Sequence, residues 1–349
     1  HNPNDGDGTD FPFWPDNRYL GLIHADGNGL GQLLIHLDEQ VRSCPDVFVG
    51  LFRDFSTAIT EATRAAAQDA TRQVLLPARG NPNETKAAGA VPARPIVLGG
   101  DDLTILVRAD LAISFTRVFL TAFEHRSREK IKPLRDRYPT ITGLPEALTA
   151  GAGIAFVKSN HPFHLAHELA ESLASFAKDR AKEQKDQNGR IPPTLAFHRV
   201  TTASHADYED IRQREMTHGP DNARIITTLG AYRVDPPPPG LPALTDLEVL
   251  AYLLSREEMA RGPARQVLTL LGQNSDDARR RYARWREVMG DRHPERFKEF
   301  NDLLASLCGG LDDGLPISQT GATPLGDVVT LLAVSTGTSR ELPRTEDTP

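Results

Sequence analysis

The sequence predicts an α+β domain with a small helical domain behind it. Short apolar, β-rich runs at Tyr19–Ala25, Ile96–Val107, Leu148–Val157 and Thr194–Val200 alternate with long amphipathic stretches. Pro236–Pro239 then form a stiff, extended linker. Beyond the linker, Leu247, Leu250, Leu253 and Leu254 mark the apolar face of a helix.

In chain order, residues 1–18 read as a loose tail, rich in Gly, Asn and Asp from His1 to Asp10. Asp5–Gly8 (DGDG) has the flavour of a calcium loop but lacks the later carboxylate such a loop needs, so a solvated tail is the better reading. YLGLIHA is a buried strand that delivers Asp26 to a polar turn, DGNG. A helix follows from Leu30, with Leu33, Leu34, Leu37 and Val41 on one face, and a second runs over 46–75. Ala78–Pro95 is a Gly- and Pro-rich loop. IVLGGDDLTILV (Ile96–Val107) reads as a hairpin with a tight polar tip. A helix over 111–137, a strand over 148–157, a helix over 163–185 and a strand over 194–200 complete a first domain, 19–235. The linker is set at 236–240, a helical domain at 241–311 with helices over 245–271 and 276–307, and a tail at 312–349 that frays after the apolar Val328–Val334.

Composition bounds the function. The chain has 349 residues, 39% hydrophobic and 25% charged, which is globular rather than disordered. Its net charge of −7 argues against broad, charge-driven binding of nucleic acid. No apolar run is long enough to span a membrane. Cys44 and Cys308 cannot by themselves make a disulfide scaffold or a zinc site, which favours a reducing, cytoplasmic setting.

The chemistry concentrates at two turns. Asp26 ends one strand, and Asp101 and Asp102 sit at the hairpin tip. If those strands are neighbours, three carboxylates converge on one sheet edge, a hard-oxygen set suited to Mg²⁺ or Mn²⁺. Two such ions can align a 3′-hydroxyl with an α-phosphate. Gly27, Gly29, Gly99 and Gly100 permit positive φ and leave room for a triphosphate, with Asn28 among them. Either turn alone is more readily an ordinary turn, since Gly, Asp and Asn are the common turn formers; their order and flanking strands favour the site. Lys178, near the end of a helix whose apolar face carries Leu165, Leu169, Leu173 and Phe176, can reach a polyphosphate as a point charge.

HADGNGLG, LGGDDLTILV, TAGAGIAFVKSNHPFHLAHELAESLASFAK and LAFHRV together resemble the catalytic palm of the CRISPR type III large subunit, a relative of the GGDEF diguanylate cyclases. The resemblance runs from about Tyr19 to Val200 and implies a ferredoxin-like palm of the polymerase and nucleotide-cyclase type. It implies Asp26, Asp101 and Asp102 as metal ligands, with the Gly27 carbonyl as a backbone ligand and Lys178 as the lysine that contacts the triphosphate. The family chemistry it implies is polymerisation of ATP into cyclic oligoadenylates with release of pyrophosphate, in antiviral signalling. Asn28 departs from relatives that carry a second aspartate there, and the stretch from Asp26 to Asp101 is longer than in compact cyclases.

A single palm with no His-Asp nuclease segment before it implies a partner palm, in a homodimer or on another chain. Other CRISPR effector subunits and RNA are further partners the resemblance implies. The abrupt opening reads as a piece of a longer chain. A GGDEF-like cyclic dinucleotide synthase and a nucleotide-binding scaffold without turnover are the alternatives.

Two weaker features remain. His161, His164 and His167 cluster at a helix start without a further ligand in view, so loop and helix-start histidines are the plainer reading. Arg279, Arg280, Arg281, Arg284 and Arg286 surround Tyr282 and Trp285. That run reads first as a solvated helix packing both rings inward, and second as a surface for RNA or a docking subunit.

Overall fold

Alternation of buried positions makes Tyr19–Gly27 a strand, β1, with Leu22, Ile23 and Ala25 fully buried. The computed structural model describes residues 19–42, 45–79, 90–187, 189–201, 207–219, 224–235, 240–256, 259, 261–311 and 314–335. The loose tail with its DGDG, Cys44, most of the Ala78–Pro95 loop and Pro236–Pro239 lie outside the described residues. The chain divides into two units, His1–Glu209 with Gly230–Leu241, and Asp210–Leu229 with Pro242–Pro349.

In the first unit, β1 is followed by α1 (Leu30–Val41) and α2 (Pro45–Ala70), then the hairpin β2 (Ala93–Gly99) and β3 (Asp102–Arg108). Next come α3 (Ala109–Arg137), β4 (Ala150–Lys158), α4 (Phe163–Lys182) and β5 (Thr194–Arg199). Later in the chain come α5 (Tyr208–Glu215), the short strands β6 (Thr217–His218) and β7 (Ile225–Ile226), and β8 (Ala231–Arg233), which ends the sheet order β2-β3-β1-β4-β5-β8. The β4–β5 pair is parallel, joined by the α4 crossover, and every other pairing is antiparallel. The order β2-β3-β1-β4 is that of a ferredoxin-like βαββαβ unit, so the α+β palm expected from sequence is the fold observed.

Glycines show which helix covers which face. A Cβ at Gly21 would meet the Ala112 Cβ of α3 at 2.6 Å. One at Gly153 would collide with the Ala170 carbonyl of α4 and approach the Ala174 nitrogen to 2.5 Å. Gly153 pairs with His24 and Gly151 with Asp26 across β1 and β4. The even-numbered positions of β1 therefore share the face covered by α4, and the odd-numbered ones face α3. α2 packs on α3, and Phe115, Phe119 and Phe123 fill the core beneath them.

Several boundaries differ from the sequence reading. The helix expected to reach Leu75 becomes one π turn over Thr71–Leu75 after Ala70. α4 stops at Lys182, short of Lys185, and β8 forms where only an approach to the linker was expected.

In the second unit, the 245–271 and 276–307 stretches each hold two helices. They are α6 (Leu244–Ser255) with α7 (Arg261–Leu271), and α8 (Ser275–Arg292) with α9 (Pro294–Cys308). Pro294 takes the first position of α9, where its missing N–H costs nothing. Part of the expected tail is a further helix, α10 (Leu325–Val334). Its buried Asp327 accepts hydrogen bonds from Thr228 Oγ1 at 2.7 Å and the Leu229 N–H at 2.9 Å. Tyr282 and Trp285 are buried, while Arg280 and Arg284 lie exposed and paired with Asp277 and Glu287. The rings belong to the core and are not free to stack on bases. Among the described residues, no helix is long and apolar enough to cross a membrane.

Candidate metal centre

Two chain turns meet at the end of β1. Asp26 lies one residue beyond Ala25, which pairs with Leu103 of β3, so Asp26 and Asp102 emerge side by side. Gly99 and Asp102 close the hairpin around a two-residue loop whose first residue, Gly100, has φ of 60°. Glycine takes that conformation without a steric cost. The Gly100 carbonyl accepts a 2.7 Å hydrogen bond from Thr63 Oγ1 of α2, and the Gly27 N–H donates to Asp101 Oδ2 at 3.2 Å. The tip is thus anchored from two sides, and the three carboxylates offer oxygens within 4.8 Å of one another.

Lys178 reaches the same place from α4. Its Nζ makes an ion pair and hydrogen bond with Asp26 Oδ2. Gly151 makes room for it, because a Cβ there would run into the Lys178 side chain. Burial pushes Asp101 up to about 6, with the hydrogen bond and charge of Asp26 adding to the rise. Asp102 is raised as well, first by burial and then by the charge of Asp26. Burial also pushes Asp26 upward, but its hydrogen bonds with Lys178 and Asp101 outweigh that and hold it below the ordinary range. The cluster is compressed negative charge, met by one ammonium. Hard oxygens crowded in this way fit a divalent cation such as Mg²⁺ or Mn²⁺.

Residues 19–189 match the family described as Cas10/Cmr2, second palm domain. The segment belongs to the Cas10/Cmr2 palm family. No curated protein matches the chain.

Within this palm, the other residues singled out from sequence take different places. Asn28 is held by Thr149: its Nδ2 donates to Thr149 Oγ1 at 3.0 Å and its N–H to the Thr149 carbonyl at 2.8 Å. Its buried Oδ1 has no hydrogen-bond partner among the described residues. Gly29, with φ of 70°, starts α1, and Gly99 has open space where a Cβ would be.

Sequence reading missed His24 and Glu171. His24, two residues before Asp26 on the same face of β1, gathers with His167 and Glu171 of α4, with ligand atoms within 4.8 Å of one another. The His24 and His167 rings meet edge-on at 5.8 Å. His161 and His164, expected to cluster with His167, are not in this group. The overlooked signal is periodicity: two residues along a strand, and 167, 171 and 178 along one helix face.

Proposed function

We propose that this palm is a metal-dependent nucleotidyltransferase that converts ATP into cyclic oligoadenylate-type messengers and releases pyrophosphate. The observation that carries the reading is the convergence of Asp26, Asp101 and Asp102 beside Lys178, on a chain of the Cas10/Cmr2 palm family. Asp26, Asp101 and Asp102 are the residues that would hold Mg²⁺ or Mn²⁺. Such ions, when bound, neutralise charge developing on the reacting phosphate and activate the attacking hydroxyl.

The chain's own residues do the rest. The 3′-oxygen of one nucleotide attacks the α-phosphorus of another, the bond to the β-phosphate breaks, and the hydroxyl proton leaves to solvent. Lys178 exchanges its Asp26 partner for the polyphosphate and balances its charge. The Gly27 N–H fixes the Asp101 carboxylate so that the acidic set is formed before substrate arrives. One such site presents one donor triphosphate, so a second palm, in a homodimer or on another chain, would hold the acceptor in line. Membership of an antiviral CRISPR effector in the cytoplasm, with its other subunits and RNA, completes the reading.

Purified protein incubated with ATP and Mn²⁺ or Mg²⁺, followed by mass spectrometry, tests it. Cyclic adenylates with matching pyrophosphate release are the expected result. Products from GTP alone would give the cyclic dinucleotide reading instead. Nucleotide binding without any product, with and without RNA, would overturn catalysis and leave a scaffold, the role that Asn28 turning toward Thr149 favours.

A further inference from the structure

α4 crosses β1 so that one helix face serves two places. Lys178 stands over Asp26, and two and three turns earlier Glu171 and His167 stand over His24. His24 and Asp26 are two positions apart, roughly 7 Å along β1. The second place has a different donor chemistry, two imidazoles and one carboxylate. That set suits a borderline first-row cation, Zn²⁺ above all, rather than Mg²⁺.

We propose that His24, His167 and Glu171 form a Zn²⁺-class site, separate from the carboxylate centre, that ties α4 to β1. His167 Nδ1 and Glu171 Oε2 are 3.4 Å apart. Ligands about 2.0–2.1 Å from a tetrahedral ion lie roughly 3.3 Å from each other, so this pair already has the required spacing. His24 Nδ1 is engaged by Thr104 Oγ1 at 3.0 Å, on a residue only 2% exposed. Nε2 is the nitrogen left for a ligand, and a buried partner on the other ring nitrogen is what a metal-binding histidine requires to hold its orientation. His24 and Thr104 are cross-strand neighbours, so the sheet register itself fixes this contact.

Glu171 and His167 keep 50% and 28% of their side-chain surface exposed, which gives the ion a path in and leaves a coordination position for water. Beneath the cluster, Gly153 lets α4 approach β4 closely enough for these residues to reach His24. The ion would fix α4 on β1, and with it the reach of Lys178 toward Asp26.

Titration of the full chain with Co²⁺, followed by its visible d–d bands, tests the site, with competition by Zn²⁺ giving the affinity. One equivalent should saturate the bands in the native protein and in the Asp101→Asn/Asp102→Asn variant. The bands should be lost in His167→Ala and in Glu171→Gln, surface changes whose folding is checked by circular dichroism. Thr104→Val should weaken Zn²⁺ by about 10- to 100-fold while leaving one equivalent bound. No stoichiometric binding by the native protein, or unchanged binding in both His167→Ala and Glu171→Gln, overturns the proposal. Bands lost in the aspartate variant but kept in His167→Ala would place the cation on the carboxylates and overturn it equally. None of these readouts depends on turnover, so failure here and failure of the nucleotidyltransferase reading are distinct.

Discussion

The two ends of the α4–β1 contact solve one problem with opposite chemistry. At the Asp26 end, burial and then the neighbouring Asp26 carboxylate push Asp101 up to about 6, and Lys178 is ion-paired with Asp26. At the His24 end, burial lowers the imidazole, which keeps it neutral and available as a lone-pair donor. Burial and crowding disfavour negative charge on Asp101 and Asp102 at the first end, and burial disfavours positive charge at the second. Both leave groups prepared for a cation, but the hard oxygens of one and the nitrogens of the other select different ions.

The largest expected effect separates the ends. Asp101→Asn with Asp102→Asn should reduce cyclic product at least about 10²–10³-fold, since the charge facing the reacting phosphate is gone. Because their ionisation is disfavoured in the fold, the metal-free variant should melt no lower than the native protein at pH 7. Full synthesis by the folded variant, measured by mass spectrometry, would remove the carboxylate end from the mechanism.

Gly153→Ala should damage both ends together. Its Cβ would press on the Ala170 carbonyl and the Ala174 nitrogen, backbone atoms that cannot rotate away. Overpacking of this kind costs about 1–3 kcal/mol, read as a melting temperature lower by several degrees. Gly99→Ala, with open space around it and no positive φ, is the matched control and should melt as the native protein does.

These two glycines also show how far the sequence could be read. Asp26, Asp101, Asp102 and Lys178 were legible because each ends or caps a recognisable local pattern: a strand into DGNG, a GGDD tip, an amphipathic helix. The order β2-β3-β1-β4 places those patterns together, as the strand readings required. His24 and Glu171 were not legible, because each is an ordinary polar residue within an element. Only the crossing of α4 over β1, permitted by Gly151 and Gly153, makes them neighbours. The hydrogen bond of Asn28 with Thr149, 121 residues later, was likewise invisible in the local turn pattern. The single helix expected over 245–271 is two helices, one ending at Ser255 and the next starting at Arg261.

Lys178→Met sharpens the comparison from the side of charge. The ammonium that would balance the triphosphate also competes with a cation for Asp26. Its removal should weaken ATP binding about tenfold or more, the range for a charge-assisted contact. Without nucleotide, the same variant should bind Mn²⁺ several-fold more tightly, since a positive charge has left the site. Calorimetry with Mn²⁺ alone and with ATP alone checks both signs, and a parallel fall in the two affinities would mean that Lys178 only holds the local structure.

The smallest effect is a dependence on pH at one end alone. The folded Asp101 value of about 6 lies above its ordinary 3.8, so folding favours its protonated form. Its contribution to stability is therefore present at low pH and is lost as pH rises through about 6. Asp26, held below the ordinary range, contributes in the opposite sense and loses its share as pH falls. A cation must displace the Asp101 proton, so Mn²⁺ affinity at the carboxylates should be flat above pH 7 and fall by about tenfold per unit below pH 6. Asp101→Asn has no such proton to release, so its weaker Mn²⁺ binding should vary little between pH 7 and 5.5. Titrations of both proteins across that range compare the slopes directly. Equal slopes would show that the proton competing with the cation sits on Asp102 or Asp26, and would move the compressed charge away from the hairpin tip.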